Sequence, residues 1–201
     1  MAQPVSVGVD GSPESLAAAM WAGREATLRD GSLRIVYALE WRTSDQQFSP
    51  GLSAQREWAE SRFEALAEEL LDSGPVVAGL GHHDPHGPLL DFAFEAAALR
   101  STVLRLVRTA GRTPAGDREP HDASALAASL RPCRALWPAV EVEEWFSTGP
   151  AVPHLLEASD DAQLLVVGRR ENRPFPVTRI GPVTHGVLHH ARCPVAVIPS
   201  S

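Results

Sequence analysis

Cysteine is nearly absent from this chain of 201 residues: Cys133 and Cys193 are the only two. Two cysteines are too few for a disulfide framework, and neither belongs to a CxxC pair, so packed or surface thiols are expected instead of redox centres. Long apolar runs are also missing, which excludes a helix crossing a bilayer. Basic residues are outnumbered, 18 against 25 acids, for a net charge of −7. A protein that neutralises nucleic-acid phosphates needs the opposite balance. The opening Met1-Ala2-Gln3-Pro4 carries no basic region followed by an apolar stretch, so no export signal and a cytoplasmic location are expected. Several catalytic signatures are lacking too. There is no nucleophile elbow, no Walker A lysine and no GxGxxG after the first strand. The HxGH and SGGxDS patterns of ATP-using enzymes on related folds are equally absent. The chain therefore reads as a non-enzyme.

What is present is an ordinary globular composition, 44% hydrophobic and 21% charged, organised by an internal repeat. Residues 4–36 align without gaps to residues 75–107 at a constant offset of 71. Pro4 matches Pro75, Val5 matches Val76, Gly8 matches Gly79 and Val36 matches Val107. Each copy starts with a short apolar run, Val5 to Val9 or Val76 to Leu80, as expected of a strand buried on both faces. A helical stripe follows: Ala19, Ala22, Gly23 and Ala26 in one copy, Leu90, Ala93, Phe94 and Ala97 in the other. A second apolar run closes each unit, Leu33 to Leu39 or Leu104 to Val107. Strand, helix, strand at this length makes a parallel βαβ unit with a right-handed crossover.

After the first copy come a polar loop, Arg42 to Gly51, and a helix with Ala59, Phe63, Leu66 and Leu70 on one face. Ser73-Gly74-Pro75 ends it. After the second copy come a loop, Arg108 to Asp122, and a helix near Ala123 to Leu130. The pattern then continues with a strand (Val140 to Phe146), a helix (Val152 to Ala158), a strand (Leu164 to Val167), a helix (about Pro182 to His190) and a strand (Pro194 to Ile198). Residues 75–201 therefore read as a complete domain and residues 1–74 as a partial βαβα repeat of the same kind. The expected fold class is α/β, a doubly wound open parallel sheet of five strands.

Ligands bind such sheets outside the carboxyl ends of the strands, where the strand order reverses. Two loops qualify. One follows the first strand: Asp10-Gly11-Ser12-Pro13, or Gly81-His82-His83-Asp84 in the second copy. The other starts at Gly168 and runs to Gly181-Pro182-Val183-Thr184, where a helix N-terminus offers amides to an anion. Histidines 82, 83 and 86 with Asp84 lack any fixed ligand spacing, so a polar loop is the plainer reading. His185 and His189, four apart with no HExxH pattern, read as a solvated helix face, and no metal is expected. Trp58, Trp137 and Trp145 read as packing residues.

The runs VGVDGSPES, VVGRR and GPVTHGVLHHARCPVAVIP resemble the universal stress protein family, in particular its tandem actinobacterial members, here with a truncated first domain. The resemblance implies strand order 3-2-1-4-5 and a regulatory module that binds nucleotide, ATP in the first instance, without turnover. It also implies dimers that pair through the last strands. The implied nucleotide-binding residues are Gly79, Leu80, Gly81, Val107, Gly168, Arg169, Arg170, Gly181, Val183 and Thr184. From the first copy it implies Asp10, Gly11, Ser12 and Val36. The family's phosphate motif, Gly-x2-Gly-x9-Gly-Ser/Thr, keeps its spacing here, but Glu171 replaces the second glycine and Pro182 the hydroxyl residue. Proline is tolerated at a first helical position but removes an amide. A carboxylate about 4 Å from phosphate costs roughly 4 kcal/mol at intermediate dielectric. Arg169, Arg170, Arg173 and Arg179 flank Glu171 and offer either an ion pair to it or contacts to phosphate. An arginine-bearing surface loop without ligand, and an interaction scaffold that has lost nucleotide, are the competing readings.

Overall fold

The computed structural model describes residues 4–10, 12–37, 74–81, 87–110, 123–169 and 180–199. The chain divides into two compact units, Met1–Leu71 and Asp72–Ser201. The predicted loop 42–51, the helix carrying Ala59 to Leu70 and the His82–His86 cluster lie outside the described residues, as do Gly11, Arg170 and Glu171.

In the first unit, strand β1 (Val5–Val9) leads through helix α1 (Pro13–Leu28) to strand β2 (Leu33–Tyr37). The strands pair in parallel, with Val5 opposite Leu33 and Gly8 opposite Val36. Helix α1 starts where Ser12 accepts the Ser15 amide on its hydroxyl, with proline following at the first helical position. It buries Ala19, Ala22 and Ala26, three residues of the stripe read from sequence.

In the second unit, strands β3 (Val76–Leu80), β4 (Leu104–Ala110), β5 (Val142–Thr148), β6 (Leu164–Arg169) and β7 (Val195–Pro199) alternate with four helices. These are α2 (Gly87–Arg100), α3 (Ala123–Leu136), α4 (Ala151–Ala158) and α5 (Pro182–His190). The sheet order is β5-β4-β3-β6-β7, all parallel. Counted within the unit, this is the expected 3-2-1-4-5. Helices α2 and α3 cover one face, α4 and α5 the other. The four expected residues of α2, Leu90, Ala93, Phe94 and Ala97, are all at most 1% exposed. Against α4 and α5, Val77, Val107, Leu165 and Val167 form a core with Leu155, Ala158 and Val187.

Several boundaries differ from expectation. Strand β4 runs on to Ala110, because Arg108, read as the start of a loop, is buried and continues the pairing with β5. Helix α3 continues past Leu130 through Pro132 to Leu136. Leu126, Leu130 and Cys133 form one buried stripe, and that packing outweighs the amide lost at proline. Strand β5 is displaced two residues downstream. It is an edge strand, so Trp145 is 43% exposed instead of packed, with the Arg105 guanidinium 4.3 Å from its ring centre.

Candidate functional site

The strand order reverses between β3 and β6. From β3 the chain first crosses to β4 on one side and later returns to β6 on the other. Gly79 lies opposite Val167, so the ends of the two strands, Leu80-Gly81 and Gly168-Arg169, come out at the same edge. Helix α5 begins at that edge. Its N-cap, Gly181, is extended and no side chain caps it. The first helical bond runs from the His185 amide to the Gly181 carbonyl at 2.8 Å. The Thr184 hydroxyl donates to the Gly168 carbonyl at 3.0 Å, and Thr184 is 4% exposed. This bond joins the end of β6 to the first turn of α5 across 16 residues of sequence. Val183 is 37% exposed beside it.

The candidates therefore separate. Gly168, Arg169, Gly181, Val183 and Thr184 gather where β6 gives way to α5. Gly81 follows β3 at the same edge. Gly79 and Val107 lie deeper and face α4: a Cβ on Gly79 would stand 2.8 Å from Leu155, and Val107 belongs to the core beneath that helix. Leu80 is buried. A side chain at Gly168 would meet only Leu89 of α2 at 3.4 Å, an ordinary contact. Neither that neighbour nor the Thr184–Gly168 bond is visible in sequence, because neither follows a helical or strand period.

In the first unit, Asp10 and Ser12 sit between β1 and α1. The Asp10 carboxylate accepts from the Ser12 amide at 2.9 Å and from the Ser12 hydroxyl at 2.7 Å, while the Asp10 amide donates to the Ser15 hydroxyl at 3.3 Å. The Ser12 amide and the two serine hydroxyls favour the charged form and lower the Asp10 pKa to about 2. A carboxylate with a depressed folded pKa stabilises above its unfolded value near 3.8, and that contribution is lost as pH falls towards 2. A carboxyl-resolved NMR titration is expected to place the Asp10 midpoint about two units below an exposed aspartate. A midpoint near 4 would show that the cluster is not formed. Val36, the first copy's partner to Val107, is 53% exposed.

The remaining chemistry is quiet. Burial, then a contact with Asp91 at 3.5 Å, raises the Cys133 pKa to about 11, so the thiol stays protonated. Burial also raises the pKa of Cys193. The His185 and His189 rings meet edge to face, 4.4 Å apart, on an exposed helix surface. Among the described residues, no three of His, Cys, Asp and Glu are placed to hold a metal, and no helix is long and apolar enough to cross a membrane. A cleft of about 450 Å³ lined by Leu156, Glu157, Asp160, His190 and Arg192 lies at the opposite, amino edge of the sheet.

The sequence model of the universal stress protein family matches residues 1–78 and again residues 73–199. Two universal stress proteins of Mycobacterium tuberculosis are 27% identical over 198 residues and 29% identical over 196. These alignments take in 97% and 96% of this chain but 47% and 46% of the relatives, so the chain spans about half the length of the curated relatives it matches. Among solved structures, a universal stress protein from Archaeoglobus fulgidus aligns over 98% of this chain and 96% of its own, with TM-score 0.66 at 11% identity. One from Lactobacillus plantarum aligns over 63% of this chain and 97% of its own, with TM-score 0.51 at 21% identity. Both likenesses speak to the fold alone.

Proposed function

The chain belongs to the universal stress protein family, and from that premise we propose that it is a cytoplasmic, non-catalytic regulatory module that binds ATP at the β3–β6 edge. The observation that carries this reading is the bond from Thr184 to the Gly168 carbonyl. It fixes the start of α5, with its amide-bearing first turn and positive dipole end, beside the two strand ends where the sheet order reverses. Val183 and Thr184 supply the amides that Pro182 lacks. The arginines after Gly168 supply the positive charge. Residues 75–201 act as the complete domain and residues 1–74 as a partial repeat.

A second reading has its own support. The Thr184 hydroxyl proton is committed to Gly168, so it is not available to phosphate without breaking that bond. An interaction scaffold without nucleotide would retain this link for packing alone.

Incubation of the full chain with ATP separates these readings. Saturable binding with no ADP or AMP released is the expected outcome. Released ADP or AMP would make the protein an enzyme, and no binding would favour the scaffold. Gly168→Asp tests the site itself. The space beside Gly168 accepts a side chain, so the variant should fold, while its carboxylate opposes phosphate. A weakening of ATP binding by about tenfold or more is expected, equivalent to about 1.4 kcal/mol.

A further inference from the structure

The two copies of the repeat fold alike but are covered differently. In the second unit, one sheet face of β3–β4 presents Val77, Gly79, Arg105 and Val107 to helices α4 and α5 and to Glu143 and Asp161. Leu155 occupies the space above Gly79. Arg105 donates to the Ala158 carbonyl at 2.7 Å, to Asp161 at 2.8 Å and to Glu143 at 3.2 Å. Val107 packs in the core with Leu155 and Val187.

In the first unit the same four positions are Ser6, Gly8, Arg34 and Val36, and all four are exposed. Three of them repeat the second copy's residue, against ten identities in the 33 aligned residues as a whole. Among the described residues, nothing in the first unit accounts for the three. A Cβ on Gly8 would meet no atom within 4 Å, so glycine is not required there, although it weakens a strand interior. No described carboxylate pairs with Arg34. Val36 is a large apolar residue facing outward. Among the described residues, each matches a partner found in the segment covering the second copy: a leucine above the glycine, carboxylates for the arginine, an apolar helix for the valine.

We propose that the open face of β1–β2 is a docking surface for residues 142–169, strands β5 and β6 with helix α4, of a second copy of this chain. Exchange of a matching element between identical chains is a low-cost route to a dimer. The charges agree, since Arg34 would meet Glu143 and Asp161 as Arg105 does. Ser6 in place of Val77 makes the first copy the weaker host. Within one chain β3–β4 therefore keeps the segment, and the exchanged form grows with protein concentration. This inference does not rest on nucleotide binding.

The repeat offset aligns Ile35 with Leu106, whose partner on β5 is Glu144. Adjacent strands bring such Cα atoms within disulfide range. Two full-length chains are prepared with Cys133→Ala and Cys193→Ala, one carrying Ile35→Cys and the other Glu144→Cys. Oxidised together, they are expected to give a disulfide-linked heterodimer well above the homodimer of either alone, with a yield that rises with concentration. Adding Gly8→Val to the Ile35→Cys chain should lower the yield about tenfold by filling the leucine's space. Arg34→Glu, a surface change that leaves folding alone, should lower it as well. A mixture that crosslinks no more than its components overturns the proposal. So does a yield unchanged by both Gly8→Val and Arg34→Glu, with helix content by circular dichroism confirming that the variants are folded.

Discussion

Leu155→Ala is expected to destabilise the five-stranded unit by about 4 kcal/mol. Leu155 is 3% exposed and lies where α4 crosses the centre of the sheet. Its methyl groups fill the space that Gly79 leaves, so truncation opens a cavity that the glycine cannot close. The pairing makes a second result testable. Gly79→Ala alone places a methyl 2.8 Å from Leu155 and should cost about 1–2 kcal/mol by overpacking. Together the two changes should cost less than their sum, because the new methyl partly fills the cavity. Strict additivity in urea unfolding would show that the two residues do not share this space.

Gly74→Ala is expected to cost about 3 kcal/mol. The cause here is backbone against backbone. A Cβ at this position runs into the Asp161 carbonyl oxygen, with the Ala162 Cα only 3.3 Å away, and no side-chain rotation relieves it. The Gly74 carbonyl also accepts from Thr102 at 2.9 Å and from Gln163 at 2.5 Å. The entry to β3 is thereby tied to the segments that precede β4 and β6, and displacing it loosens three strands at once. Gly8→Ala is the matched control. Its Cβ meets nothing within 4 Å, so the midpoint of unfolding should scarcely change. Equal losses for the two variants would mean that glycine itself matters, not the contact with Asp161.

The parts of the fold legible in sequence are those governed by period and repetition. The ungapped repeat placed β1 to β4, and the stripe Leu90, Ala93, Phe94, Ala97 placed the buried side of α2. The unbroken apolar run Leu164 to Val167 marked a strand covered on both faces, and all four residues are at most 3% exposed. Less legible were features set by tertiary neighbours. Arg108 looks like loop and is buried in β4. Pro132 looks like a helix end, yet Cys133 packs one residue beyond it. Val107 is implied for nucleotide by the resemblance alone, and its burial beneath α4 has no local sign in sequence. At the candidate site, the spacing from Gly168 to Pro182 carried the phosphate motif. The bond from Thr184 to Gly168 depends on how α5 returns to β6, which no local pattern encodes. The same is true of Asp10. Its acidic character was visible, whereas the Ser12 and Ser15 contacts that hold it ionised belong to the geometry of the turn.

The central claim is that the β3–β6 edge binds adenine nucleotide, and an equilibrium titration of the full chain with ATP, run beside Gly168→Asp, addresses it most directly. Saturable binding by the native chain, weakened about tenfold or more in the variant, is the predicted result. Absence of saturable binding, or binding that Gly168→Asp leaves unchanged, would contradict it.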